Sequence, residues 1–135
     1  MGNKSCARYS FTSVMRQCMR KNADRNIQTE PLKTHNLGGC IITRSLYDGT
    51  SKLKWIFRER SCHAVDNGWR ALGDTDTQEY INIPENNLVV DFDTLVAIEP
   101  AVLAVYDMPV GTDLEFRNDS TGRYFIDNKT GKRLP

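Results

Sequence analysis

Asp74, Asp76 and Glu79 are the first candidates for chemistry in this sequence: three carboxylates within one short stretch. A hard cation needs such oxygens to converge from several directions, as in the calcium loop D-x-[DN]-x-[DN]-G. Here Asp74-Thr75-Asp76 runs into Thr77-Gln78-Glu79, with no glycine at the sixth place and no distal glutamate. The spacing fits a helix start better. Thr75-x-x-Gln78 and Asp76-x-x-Glu79 both resemble capping boxes, and acids suit a helix N-terminus. Only some of these acids can serve the backbone, so the others are free to form a docking surface. No metal or cofactor is expected.

A second candidate is the neighbouring pair Cys62-His63, which suggests a nucleophile and its base. Adjacent side chains rarely face each other, and no acid is placed to orient the histidine. The cysteines at 6, 18, 40 and 62 form no C-x-x-C pair and have no accompanying histidine pattern, which argues against zinc. Free thiols in a reducing compartment are the expectation. His35 lies in a polar loop without ligand spacing. The sequence has no G-x-S-x-G, phosphate loop or H-E-x-x-H, and nothing in it sets two carboxylates across a cleft. No catalytic residue is assigned.

The elements that would position these residues can be read from periodicity. Phe11, Met15 and Met19, with Val14 and Cys18 beside them, predict an amphipathic helix that docks on the main domain. Residues 22–38 read as a linker broken by Asn, Pro and Gly-Gly. Cys40-Ile41-Ile42-Thr43 is a β-branched strand, and Leu53, Trp55 and Phe57 alternate in a second. With a turn at Tyr47-Asp48-Gly49-Thr50, the two predict an antiparallel hairpin. Gly68 to Gly73 makes the next strand, and Asp74 to Ile83 a short helix stopped by Pro84. Leu88-Val89-Val90 is a strand. Asp91 or Asp93 caps helical segments that run to Tyr106 around Pro100. Leu114–Arg117 and Tyr124–Ile126 form a last hairpin, and the tail 128–135 is expected to fray. These short strands, with two or three short helices, predict an α+β fold with a small, mainly antiparallel sheet, preceded by the N-terminal amphipathic helix.

The length of 135 residues suits one folded domain, here placed at 39–127 behind a basic arm, 1–38. A net charge of +1 conceals a strong asymmetry. Residues 1–35 hold seven Lys/Arg against two acids, a net of +5, whereas residues 61–127 hold thirteen acids against three arginines, a net of −10. An acidic body disfavours nucleic acid and suits a basic protein partner. The start Met-Gly-Asn-Lys-Ser-Cys has no apolar signal core and departs from the myristoylation pattern at Cys6. Acids interrupt the longest apolar run, so no membrane partner is expected.

Several ordered blocks carry a family likeness. They are Cys40-Ile41-Ile42-Thr43, Phe57-Arg58-Glu59, Asp66-Asn67-Gly68-Trp69-Arg70, Gly73-Asp74 leading to Glu79-Tyr80, and Pro84-Glu85-Asn86. Glu99-Pro100, Asp107-Met108-Pro109-Val110-Gly111 and Glu115-Phe116-Arg117 follow. On these, residues from about Gly39 to Asp127 resemble the bacterial immunity-protein 33 domain family. The chain departs from the family at Arg60–Val65, where an acidic loop is common, and at Ala71-Leu72, where aromatics are. The resemblance implies a non-enzymatic cytoplasmic protein that binds and neutralises a cognate toxin of a polymorphic toxin system. The acidic body suits a basic, nuclease-like toxin domain. The expected partner-binding residues are Asp66, Trp69, Asp74, Asp76, Glu79 and Tyr80. The competing expectations are a metal-dependent hydrolase using the same acids and a regulatory protein-binding domain.

Overall fold

A computed structural model describes residues 37–62 and 64–135; the expected helix from Phe11, His35 and His63 lie outside them. The elements run β1 (Gly39–Thr43), α1 (Arg44–Asp48), β2 (Leu53–Arg58), β3 (Asp66–Gly73), α2 (Gln78–Asn82), β4 (Asn87–Asp91), α3 (Phe92–Ile98), β5 (Asp113–Asp119) and β6 (Gly122–Asp127). Two 3-10 helices, Pro84–Asn86 and Pro100–Val105, sit before β4 and after α3. The strands form one six-stranded sheet in the order β4-β1-β3-β2-β5-β6. The β1–β3 pair is parallel and the other neighbours are antiparallel. This is the α+β, mainly antiparallel architecture expected.

The first hairpin is a correction. β1 and β2 do not pair, because β3 lies between them. The segment read as a turn is the helix α1, which closes on Gly49 in the left-handed region at φ 83°. A helix carries too much chain for a tight hairpin, so β2 returns one place further out and leaves a slot that β3 fills. β1 and β3 are central strands with both faces covered, and every residue of each is buried. That is why their sequences read as runs rather than as clean alternation.

The pleat divides the apolar side chains between two layers. On one face, Ile42, Ile56, Trp69 and Leu114 meet Leu46, Phe92, Leu95 and Val102, each at most 1% exposed. α3 and the second 3-10 helix supply the covering layer, with Phe92 edge-on to Tyr106 at 5.0 Å between ring centres. On the other face, Ile41, Trp55, Phe57 and Leu72 cluster with Ile81 of α2.

The helix starts follow side-chain oxygens. Asp91 accepts from Asp93 N at 3.4 Å to begin α3, and Glu99 accepts from Ala101 N at 3.1 Å before the second 3-10 helix. The β5–β6 hairpin turns at Asp119, where Thr121 N–H and hydroxyl and the Tyr124 hydroxyl donate to the carboxylate and hold its pKa at about 2. The tail doubles back rather than fraying. Leu134 N donates to Phe125 O at 2.9 Å, Asp127 N donates to Lys132 O at 2.9 Å, and Ile126 bridges Arg133. Among the described residues, no helix is long and apolar enough to cross a membrane.

Candidate protein-docking site

The stretch from Asp66 to Tyr80 spans the central strand from one end of the sheet to the other, so its residues separate into three environments. The first is the start of β3. Arg70, 1% exposed, clasps Asp66 through both terminal nitrogens, Nη1 to Oδ1 at 2.8 Å and Nη2 to Oδ2 at 2.9 Å. Its Nε donates to Glu59 Oε2 at 2.6 Å. Asp66 also accepts from Cys62 N at 2.8 Å and Gly68 N at 3.0 Å. Burial pushes the Asp66 carboxyl up, but the Arg70 hydrogen bonds and charge and those two N–H groups outweigh it and hold the pKa below the usual range. For Glu59 burial wins over Arg70, and its pKa is raised. Burial lowers Arg70, yet Asp66 and Glu59 more than reverse this and keep it charged. Asp66 therefore holds the loop after β2 to the start of β3.

Gly68 makes this end possible. Its φ is 90°, and a Cβ there would run into the Glu59 carbonyl. Trp69 follows, fully buried, with Nε1 donating to Tyr106 O at 3.1 Å and the Arg58 guanidinium 5.6 Å from its ring centre. It is a core residue and presents nothing to solvent.

Cys62 completes this region and corrects an expectation: it is disulfide-bonded, whereas Cys40 is free and buried. Its Sγ lies 3.2 Å from Asp66 Oδ2 but has no proton to donate. Burial pushes the Cys40 thiol pKa far up, so that sulfur is inert.

The third environment, past the core, is the opposite end of the sheet. There Asp76 turns inward, 4% exposed. Its Oδ1 accepts from Ser45 Oγ at 2.6 Å and its Oδ2 from Gly73 N at 2.6 Å. Ser45 Oγ lies 2.7 Å from Ser51 Oγ and 3.2 Å from Thr43 Oγ1. This buried polar cluster ties α1 to the loop after β3. Asp76 does not cap α2; Thr77 does, accepting from Tyr80 N at 3.1 Å. Asp74 stands outside the cluster, exposed, with Oδ1 accepting from Lys52 N at 3.1 Å. Glu79 is exposed and Tyr80 half-buried. Burial, with the charges of Asp76 and Asp48, raises the Tyr80 pKa, so its hydroxyl stays protonated.

The six expected residues thus divide evenly. Asp66, Trp69 and Asp76 are interior, while Asp74, Glu79 and Tyr80 reach the surface at one end of the sheet. The sequence reading missed Tyr47 and Asp48, which α1 brings to the same end; Tyr47 is 46% exposed. The pattern Tyr-Asp-Gly-Thr was the available signal, and it reads equally well as a turn. An open cleft of about 780 Å³ runs from Tyr47 and Asp48 past Lys52 and Asp74 to Arg117 and Asp119. Among the described residues, no group of three or more His, Cys, Asp or Glu converges to hold a metal. Asp74 and Asp76 point to different surroundings, one solvent and one core.

The comparison with protein families decides the affiliation: residues 40–126 match the model of the Immunity protein Imm33 domain. The chain belongs to the Imm33 family. Comparisons with curated proteins and with solved structures return no match. The Imm33 domain spans β1 to β6 and so contains both the Asp66–Arg70–Glu59 triad and the exposed acidic end.

Proposed function

We propose that this Imm33 protein neutralises a toxin by direct contact, and that the contact is made at the end of the sheet formed by α1, the 74–77 loop and α2. The supporting observation is the way Asp74 and Glu79 are presented. They stand in solvent on a backbone that the buried Asp76–Ser45–Ser51 cluster holds fixed. A preordered charged surface loses little conformational freedom on binding. Asp48 adds a further acid, and Tyr47 and Tyr80 supply aromatic surface of the kind that anchors interfaces.

The matching toxin surface is basic, as on a domain that must itself attract phosphate, such as a nuclease. The action is stoichiometric and requires no catalytic group on this chain. We place the encounter in the cytoplasm, although the disulfide at Cys62 is a feature more usual of oxidising compartments.

Co-expression with a cognate toxin tests the reading. Survival and a co-purifying complex are expected; a toxin that still kills, with no complex formed, removes it. The location of the contact is tested separately by the Asp74→Lys, Glu79→Lys double variant. Its association rate at low salt is expected to fall roughly tenfold or more, with the thermal midpoint unchanged. An unchanged rate places the contact elsewhere on the domain.

A further inference from the structure

The outer margin of the sheet, at β6, carries a surface of a different character from the α1–α2 end. A groove of about 610 Å³ runs between the second 3-10 helix and the returning tail, lined by Ala101, Ala104, Val105, Phe125, Arg133 and Leu134. Ala101 and Ala104 stand three apart on a 3-10 helix, so their methyls eclipse. Being small, they leave room beside the buried Val105 and Phe125 for an apolar side chain. Around the groove the charge reverses. Residues 123–135 hold four Lys/Arg against one acid, Asp127.

Two arginines are held at the rim. Arg123 is tethered by Glu99, with Nη1 donating to Oε2 at 3.0 Å. The Arg133 guanidinium stands 4.1 Å from the Tyr124 ring centre, and the Tyr124 hydroxyl is itself fixed on Asp119 at 2.7 Å. A guanidinium over a ring keeps its in-plane N–H groups for an acceptor. Among the described residues no carboxylate pairs with Arg133. The backbone beside them completes the surface. Phe125 O accepts from Leu134 N and Asp127 N donates to Lys132 O, so both face the tail. Backbone groups alternate sides along an antiparallel strand, and Arg123 therefore turns its N–H and C=O the same way. It lies past the tail's last backbone bond to β6. A strand added there aims alternate side chains at two faces. One set meets the Ala101–Ala104 groove beside Phe125, and the other meets Arg133 beside Tyr124.

We propose that this edge binds an extended segment of a partner protein in which apolar and acidic residues alternate. The segment pairs with the Arg123 backbone, seats an apolar side chain against Ala101 and Ala104, and presents a carboxylate to Arg133. Main-chain pairing supplies affinity and the two faces supply specificity. A nucleic-acid strand offers no amides to pair with the edge and no aliphatic side chain for the groove, so the occupant is a peptide. None of these residues belongs to the α1–α2 end, and nothing in this rests on the toxin reading.

Fluorescence anisotropy of a labelled peptide of alternating valine and glutamate, titrated with the full chain, tests it. Saturable binding is expected, weakened roughly tenfold or more by Arg133→Glu and lost in Ala104→Trp, which fills the groove. N-methylation of the peptide amides removes its backbone donors and is expected to abolish binding. Hydrogen exchange at the Arg123 amide is expected to slow when the unmodified peptide is bound. The Asp74→Lys, Glu79→Lys variant should bind no more weakly than the unsubstituted chain. Absence of saturation, equal affinity for a valine–lysine peptide, or undiminished binding by Arg133→Glu overturns the proposal. Equal binding of the N-methylated peptide overturns the strand pairing. Tighter binding of oligothymidylate than of the peptide, or a dimer of the chain that Arg133→Glu dissociates, gives the surface another occupant and overturns it too. If Ala104→Trp unfolds, the exposed Arg133→Glu substitution and the N-methylated peptide decide.

Discussion

Arg70 shows how much one side chain in a central strand can organise. Its guanidinium is buried between two carboxylates from different chain segments, Glu59 and Asp66, and through them it fixes the loop that joins β2 to β3. Removing it leaves one buried acid, Asp66, and one half-buried acid, Glu59, without their counter-charge. Arg70→Ala is expected to cost about 3–5 kcal/mol, read as a shift in the urea midpoint at pH 7. The two acids should behave differently with pH. The folded pKa of Asp66 lies below its ordinary value of 3.8, so its contribution is complete above that value and is lost as pH falls through the lowered one. The folded pKa of Glu59 lies above its ordinary value of 4.5, so what it contributes is present below 4.5 and is lost as pH rises through the raised value. Asp66→Asn is therefore expected to destabilise at pH 7 and flatten the acid limb of stability. Glu59→Gln should cost less at pH 7. Equal losses between pH 7 and pH 3 in the wild type and Asp66→Asn would assign the acid limb to other groups. The residues Asp66-Asn67-Gly68-Trp69-Arg70 were visible as a motif, and Trp69 as packing. The triad was not legible, because Glu59 reaches Arg70 only through the β2–β3 pairing, and pairing register does not appear in a linear sequence.

At the level of elements, α1 matters most for what is displayed. Five residues of helix place Ser45 inside, against Asp76, and Tyr47 and Asp48 outside. Asp76→Ala would leave the Ser45 hydroxyl and the Gly73 N–H short of a partner at a buried site. The expected cost is about 1–3 kcal/mol, together with faster amide exchange at Gly73 and along the 74–77 loop. Unchanged protection at Gly73 would show that the cluster does not hold the loop. Strand identities were well anticipated, as was the β5–β6 hairpin; of the two caps expected before α3, Asp91 or Asp93, the structure uses Asp91. The failures share a cause. Tyr47-Asp48-Gly49-Thr50 contains good turn residues, and Gly49 does adopt the left-handed conformation, but as the end of a helix. Thr75, Asp76 and Thr77 all offer oxygens suited to capping. Only three-dimensional packing selects Thr77 and sends Asp76 into the core.

Taken whole, the molecule separates its charges by role. The acids of the 61–127 stretch fall into those that hold the interior together, such as Asp66 and Asp76, and those that face solvent, such as Asp74 and Glu79. The net charge of that stretch therefore overstates the field available at any one surface, and the salt dependence of toxin association should follow the exposed acids alone. Charge-neutral variants at Asp74 and Glu79 should flatten the dependence of association rate on ionic strength. The fold class was legible because alternation, turn residues and short strands point to hairpins. The sheet order was not, since insertion of β3 between β1 and β2 depends on which long-range pairing buries the most surface.

The returning tail has a consequence for life in a crowded solution. β6 ends the sheet, and its outer backbone groups form a ready template for a strand from another molecule. By bridging Arg133 to Ile126 and donating from Leu134 N to Phe125 O, the last residues occupy part of that template from within the same chain. A chain cut after Asn128 should keep its core yet gain a tendency to add strands edge to edge. Concentration-dependent self-association in sedimentation velocity is the expected sign, and a strictly monomeric truncated protein would show that the edge needs no guard.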